Sequence, residues 1–163
     1  MLPLKLKSEQ SRYTPDKFKL ISQFALITIF LLACDTMSHF DAFSYKETIS
    51  AKVEALDIMS FATEEYAGHK KEIHDLNLNL QKIYEYEKNR PKNVETTKMW
   101  EILLNPDKNL YGGFLKRWQN DSTLNKFFID EAKVQVAEAF DMIIDLENGK
   151  IKKEQASEFI NKF

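Results

Sequence analysis

Apolar and polar positions follow one another along most of this chain at the spacing of an α-helix. Between Lys46 and Asn89 there is no proline and a single glycine, Gly68. Apolar or weakly polar residues recur there at three- and four-residue intervals over about four heptads, which is typical of a helix with one buried face. The positions on this face are Ile49, Val53, Leu56, Met59, Ala62, Tyr66, His69, Ile73, Leu76, Leu80 and Ile83. The pattern predicts one long first helix, bent or divided at Gly68, that begins near Phe43 and ends before Pro91.

Shorter helical patterns follow, separated by turn residues. We expect a helix from about Glu95 to Leu104, a short helix after Gly112-Gly113, a long helix from Lys126 to Glu147 with Gly149 as its C-terminal cap, and a last helix from Lys153 to Asn161. No segment alternates as a β-strand does. The predicted fold class is therefore all-α, a small helical bundle built on one long N-terminal helix, along which the second long helix packs.

An uncharged apolar run, Leu20 to Ala33, precedes the helical part of the sequence. Its 14 residues are fewer than the ~20 that a bilayer-spanning helix needs, and they follow a leader with a net charge of +3. This order of charge and apolar residues is typical of a secretory signal peptide.

The end of this run, Leu31-Leu32-Ala33-Cys34, resembles the lipobox of bacterial lipoproteins. The resemblance implies cleavage between Ala33 and Cys34 and acylation of Cys34, for instance with palmitate. Residues 1–33 are then a signal peptide, 34–42 a lipidated tether and 43–163 a single helical domain. The alternatives are an uncleaved signal anchor and a buried helix of a cytosolic protein. Asp35 resembles the retention signal of enterobacterial lipoproteins, so the periplasmic face of the inner membrane is favoured in a cell with two membranes.

The charge argues against sequence-independent nucleic-acid binding, and the single cysteine rules out an internal disulfide. From Cys34 onward the formal net charge is −5, whereas sequence-independent nucleic-acid binding needs a basic surface. One cysteine forms no internal disulfide. No pattern indicates a cofactor.

Two groups of residues were weighed for chemistry, and for both a structural role is favoured. His69 has the helical spacing to Glu65 and Glu72 that a metal pair needs, but no complete metal motif accompanies it. One side of the second long helix carries four carboxylates. Paired carboxylates can act in acid–base catalysis if burial drives their pKa values apart. The four carboxylates are Glu131, Glu138, Asp141 and Asp145.

Basic residues beside aromatic residues in the connections predict a partner surface, because arginine and aromatic side chains are enriched at protein interfaces. This predicted surface comprises Arg90, Lys92, Tyr111, Lys116 and Arg117. The favoured function is a non-enzymatic, membrane-anchored envelope lipoprotein that binds another protein, as an accessory, inhibitory or immunity-like factor. The alternatives are a scaffold that self-associates through the heptad face and, less favoured, a hydrolase that uses the acidic side.

Overall fold

The computed structural model describes residues 38–162, and its regular structure there consists of helices without a β-strand. The six α-helices are α1 (Ala42–Ser60), α2 (Lys70–Lys88), α3 (Val94–Leu104), α4 (Tyr111–Asp121), α5 (Lys126–Glu147) and α6 (Lys153–Lys162). The prediction of an all-α bundle is confirmed. The predicted signal peptide, its cleavage site and the acylated Cys34 lie outside the described residues.

The prediction of one unbroken first helix is wrong, because the chain turns back between α1 and α2. The alternative, a helix divided at Gly68, is what the structure has, since Gly68 lies in the break. Two short 3-10 turns, Phe61–Thr63 and Tyr66–His69, occupy the break. The backbone N–H of Tyr66 donates to the Ser122 carbonyl at 2.9 Å, and that of Leu124 donates to the Ala62 carbonyl at 2.7 Å. These bonds to the α4–α5 connection satisfy backbone groups that an unbroken helix would pair internally.

The predicted buried face holds in α2 and only in part in α1. Ile73, Leu76, Leu80 and Ile83 are all buried in α2, as predicted. In α1 Met59 is buried as predicted, but the side chain of Val53 is 63% exposed and that of Ile49 is 37% exposed. The buried residues of α1 are Ser44, Thr48, Ala51, Ala55, Ile58 and Met59. Its small residues let the neighbouring helices approach closely.

Helix α5 has the predicted bounds and packs against α1, α3 and α6. The Asn125 side chain caps its N-terminus by accepting from the Phe128 N–H at 2.9 Å, and Gly149 has the positive φ of 75° expected of a C-terminal cap. The apolar face of α2 is covered mainly by α1 and α3, not by α5 as predicted. Trp100 and Trp118 are fully buried, and Trp100 meets Phe140 of α5 edge-on at 5.8 Å between ring centroids.

The two adjacent glycines belong to the first turn of α4, where the sequence predicted a turn before a short helix. A Cβ atom at Gly112 would collide with the backbone of Leu104 and Asn105, and one at Gly113 would collide with the Lys108 carbonyl. Glycine at both positions therefore lets α4 pack directly against the end of α3 and the loop that follows it.

Candidate partner-binding groove

The five residues of the predicted partner surface do not lie together on one surface. Arg90 has a side chain only 9% exposed, and Tyr111 is 1% exposed. Both assignments are corrected here, because a buried side chain offers nothing to a partner. Lys92, Lys116 and Arg117 are exposed.

Arg90 is held inside a cluster of charged groups at one end of the bundle. Its guanidinium donates to both carboxylate oxygens of Glu147, at 2.7 and 2.9 Å, and to Glu87 at 2.8 Å. It also donates to the His39 carbonyl at 2.7 Å. Burial alone lowers the pKa of Arg90, but the hydrogen bonds and charges of Glu147 and Glu87 outweigh burial and raise that pKa above its ordinary value.

The same cluster fastens the segment that precedes α1. The backbone N–H of Asp41 donates to Glu147 at 2.5 Å, and the Asp41 carboxylate caps α1 by accepting from the Ser44 N–H at 2.9 Å. It also accepts from the Tyr86 hydroxyl at 2.7 Å. These two bonds, from Ser44 first and then from Tyr86, lower the pKa of Asp41. Asp41, assigned to the tether from the sequence, is therefore part of the folded domain.

The two exposed basic residues of α4 both have local partners. Lys116 pairs with Asp107 at 2.7 Å, and the Arg117 guanidinium lies over the Phe128 ring at 4.1 Å from its centroid. This contact places Arg117 at the edge of a cavity between α4 and α5. Tyr111, at the start of α4, lies in the core, where burial raises the pKa of its hydroxyl.

Two cavities that share a lining residue lie along α5 and are together called the groove. The first, of about 320 Å³, lies against α4 and is lined by Leu110, Phe114, Arg117, Phe128, Glu131 and Ala132. The second, of about 520 Å³, lies against α6 and is lined by Glu138, Asp141, Met142, Asp145, Phe159 and Lys162. Gln135 lines both cavities. The groove therefore follows one face of α5 from Phe128 to Asp145.

The carboxylates along this groove differ in how they are compensated. Asp141 is paired with Lys52 at 2.6 Å, and Asp145 with Lys150 at 3.1 Å. Glu131 and Glu138 have no cationic partner within residues 38–162, and both side chains are exposed. They are seven residues apart, a rise of about 10 Å along the helix. The groove thus carries two carboxylates without an ion pair in the described residues. Its lining also includes apolar side chains, such as Phe128 and Met142, and two cations, Arg117 and Lys162.

Two exposed apolar side chains lie on the same helix as the groove but do not line its cavities. Phe127 is 72% exposed and Val134 is 58% exposed. With Glu131 and Glu138 they follow a four-three-four spacing, which places all four residues on one face of α5. This face, alternately apolar and acidic, was missed by the sequence interpretation, although the spacing is readable in the sequence.

The surroundings of His69, which was considered as a metal ligand, are defined within residues 38–162. No group of three or more potential metal ligands occurs in that part of the chain. The His69 ring is bonded to Glu64 at 2.9 Å and stacks on Phe61 at 5.1 Å between centroids. His69 is thus half-buried, as predicted, but it lies in the 3-10 turn between α1 and α2 and not at a heptad position of an α-helix. In the same described range, no helix is both long enough and apolar enough to span a bilayer.

Comparisons with known protein families, with curated proteins and with solved structures found no match to this chain.

Proposed function

We propose that this chain is a membrane-anchored, extracytoplasmic protein without enzymatic activity that binds a cationic amphipathic segment of another protein in the groove on α5. The observation that carries the proposal is the pair of exposed carboxylates without an ion pair in the described residues, Glu131 and Glu138, beside apolar side chains of the groove. The anchor is supported by the resemblance of Leu31–Cys34 to a lipobox and by the positive leader before it.

The spacing of the groove suits a helix. Two basic residues seven positions apart on a partner helix lie about 10 Å from each other and match Glu131 and Glu138. Apolar residues between them, at the third and fourth positions, would lie over Ala132 and Gln135. Larger apolar side chains would reach Phe128 at one end and Met142 at the other. The charges would determine specificity and association rate, and the apolar contacts would supply most of the affinity.

The structure weakens the basis of the scaffold alternative. That reading required the heptad face of the first helix to be available to a second copy. Ile73, Leu76 and Leu80 are 2%, 3% and 0% exposed within the monomer. A self-associating scaffold would need another surface.

A designed peptide tests the groove directly. The probe is a helical peptide of about 18 residues with lysines at positions seven apart and leucines between them, compared with a scrambled peptide of the same composition. We expect the helical peptide to bind and the variant Glu131→Lys/Glu138→Lys to lose at least about tenfold in affinity, a change of about 1.4 kcal/mol. Fluorescence anisotropy measures both.

The matched control is Glu54→Lys/Asp57→Lys, which makes the same change in charge at exposed positions of α1. If this control weakens peptide binding as much as the groove variant does, the attraction reflects net charge and the groove proposal fails. If the scrambled peptide binds as tightly as the helical peptide, the groove proposal also fails.

The anchor has a separate test. Metabolic labelling with a fatty acid should mark the wild-type chain and leave Cys34→Ala unlabelled. Equal labelling of the two would show that Cys34 is not the acylated residue. An unlabelled wild-type chain that still sediments with membranes would favour the uncleaved signal anchor.

A further inference from the structure

The described chain enters the bundle at the end where α2 stops and α3 begins. Ser38 and Lys92 line the same narrow cleft, and Arg90 donates to the His39 carbonyl at 2.7 Å. Only four peptide steps separate Cys34 from Ser38, and an extended chain of that length spans at most about 14 Å. An anchor at Cys34 would therefore hold this end of the bundle close to the bilayer.

Large apolar side chains are exposed at this end. Phe40 is 59% exposed, Phe43 is 52% exposed, and Val94, the first residue of α3, is 56% exposed. Tyr86 packs edge-on against Phe43 at 4.8 Å between centroids and is itself 38% exposed. Tyrosine is enriched at the interface between a membrane and water, and phenylalanine occurs on the apolar side of surface segments that bind there together with lysine and arginine.

A shallow basic depression lies beside these side chains. It has a volume of about 280 Å³ and is lined by Lys88, Arg90, Lys92, Asn93, Val94, Thr97, Lys98 and Glu101. Lys98 makes no ion pair within residues 38–162, and Lys88 lies 3.5 Å from the exposed Glu85. The one carboxylate of the depression, Glu101, accepts a hydrogen bond from Tyr84 at 3.0 Å. The depression thus presents the ammonium group of Lys98 without an ion pair in the described residues, beside that of Lys88, which is paired only with an exposed carboxylate.

We propose that this end of the bundle docks onto an anionic bilayer, with Phe40, Phe43 and Val94 at the level of the headgroups and Lys88 and Lys98 against lipid phosphates. The proposal rests on the membrane anchor of the proposed function. It does not depend on the groove. The acyl chains attach the protein to the membrane, and this surface orients it. Docking would leave the groove on α5 alongside the bundle, where a segment of a neighbouring membrane-associated protein can reach it.

The test uses the full-length, membrane-inserted chain with one added cysteine that carries an environment-sensitive fluorophore. Val94→Cys reports the proposed surface. Phe127→Cys is the matched control, because Phe127 is also exposed but lies at the opposite end of α5 from Glu147, about 30 Å away. The wild-type chain shows how much label reaches Cys34. The vesicles contain phosphatidylcholine alone or with about 30% phosphatidylglycerol.

On the anionic vesicles we expect the label at position 94 to shift to shorter wavelength and to be quenched by spin-labelled lipid at least about twofold more than the label at position 127. Raising NaCl from about 0.05 to about 0.5 M should remove the difference between the labels at positions 94 and 127, because salt screens the attraction between the lysines and the anionic lipid. Lys88→Gln/Lys98→Gln should abolish it, whereas Lys70→Gln/Lys71→Gln, a neutralisation of equal size at the start of α2, should leave it intact.

Two results would overturn the proposal, and flotation of the vesicles separates them. If the protein floats with the vesicles but both labels report water, docking is refuted and the anchor stands. If the protein does not float, the anchor and the docking fail together, while the peptide test of the groove is unaffected.

Discussion

Arg90 binds Glu147 through both of its terminal nitrogens, at 2.7 and 2.9 Å, across 57 residues of sequence. The side chain of Glu147 is only 4% exposed, and Glu87, the second carboxylate bound by Arg90, is fully buried. The contact joins the segment after α2 to the last turn of α5. Because Glu147 also accepts from the Asp41 N–H, one carboxylate links three parts of the chain at the end proposed to face the membrane.

The first prediction is that Arg90→Met destabilises the domain by about 3–5 kcal/mol. The substitution leaves Glu87 and Glu147 buried without a counter-charge, and the penalty is a large share of the ~5–15 kcal/mol by which a domain is stable. Urea unfolding followed by circular dichroism measures it. The control is Lys116→Met, which removes an exposed pair with Asp107 and should cost at most about 1 kcal/mol. Equal losses in the two variants would contradict the buried cluster.

The second prediction concerns the start of the folded domain. A chain that begins at residue 38 should be more stable than one that begins at residue 43 by at least about 2 kcal/mol. The shorter chain lacks the Asp41 cap of α1, worth about 0.5–2 kcal/mol, and the backbone partners of Arg90 and Glu147. The comparison requires only the free energies of unfolding of the two chains. If they agree within error, residues 38–42 are a passive tether, as the sequence suggested.

The third prediction is a pH dependence that originates at Asp41. Its hydrogen bonds from Ser44 and Tyr86 lower its pKa below the ordinary value of 3.8. The unfolded chain therefore takes up the proton first as the pH falls, so the stabilisation is present above about pH 4 and is lost as the pH falls through the lowered pKa. We expect Asp41→Ala to cost about 0.5–2 kcal/mol at pH 7 and less near pH 2.5. Urea unfolding of both chains across this range measures it, and a difference that stays constant would argue against this role.

Local signals in the sequence predict most of the helices correctly. The bounds of α5 follow from its apolar spacing, the capping residue Asn125 and Gly149 after its end. The break between α1 and α2 has one local signal, Gly68, which is compatible with a bend as well as with a division of the helix. It is stabilised by backbone bonds from Tyr66 to Ser122 and from Leu124 to Ala62, which join residues about 60 positions apart. Apolar spacing alone favours an unbroken helix there.

The candidate sites are harder to predict from the sequence, because they too depend on contacts between distant parts of the chain. Arginine next to proline in a connection is normally exposed, and only the fold brings Glu147 to Arg90. The groove requires three helices, since α4 and α6 supply the walls on either side of α5. The acidic side of α5 was recognised from the sequence, but which of its carboxylates stay uncompensated depends on Lys52 and Lys150.

The fourth prediction is that Tyr111→Phe leaves the domain as stable as the wild type or stabilises it by up to about 1 kcal/mol. The Tyr111 hydroxyl is buried and has no hydrogen-bond partner within residues 38–162, so its removal relieves a buried polar atom without leaving a cavity. Burial raises its pKa, so the wild type should lose stability as the pH rises above about 10, where the unfolded tyrosine ionises first. Thermal unfolding at pH 7 and above pH 10 tests both parts. A loss of more than about 1 kcal/mol at pH 7 would show that the hydroxyl is bonded.

The last prediction separates the apolar face that the sequence indicated from the one that the fold buries. Leu80 is fully buried against α1 and α3, whereas Val53, placed on the same face by the heptad spacing, is 63% exposed on α1. Leu80→Ala should cost about 2–5 kcal/mol, because it removes apolar contacts and leaves a cavity. Val53→Ala should change the free energy of unfolding by no more than about 0.5 kcal/mol, since it lies at the surface and alanine has the higher helix propensity.

The two variants test the turn between α1 and α2 as well as the packing. In an unbroken helix, Val53 and Leu80 would share one buried face, and both substitutions would be costly. In the folded-back arrangement only Leu80 is covered, because α1 directs Ala51, Ala55 and Ile58 inward instead of Val53. Chemical denaturation of the two variants beside the wild type therefore distinguishes the arrangements. A loss at Val53 comparable to that at Leu80 would mean that α1 presents a different face to the core.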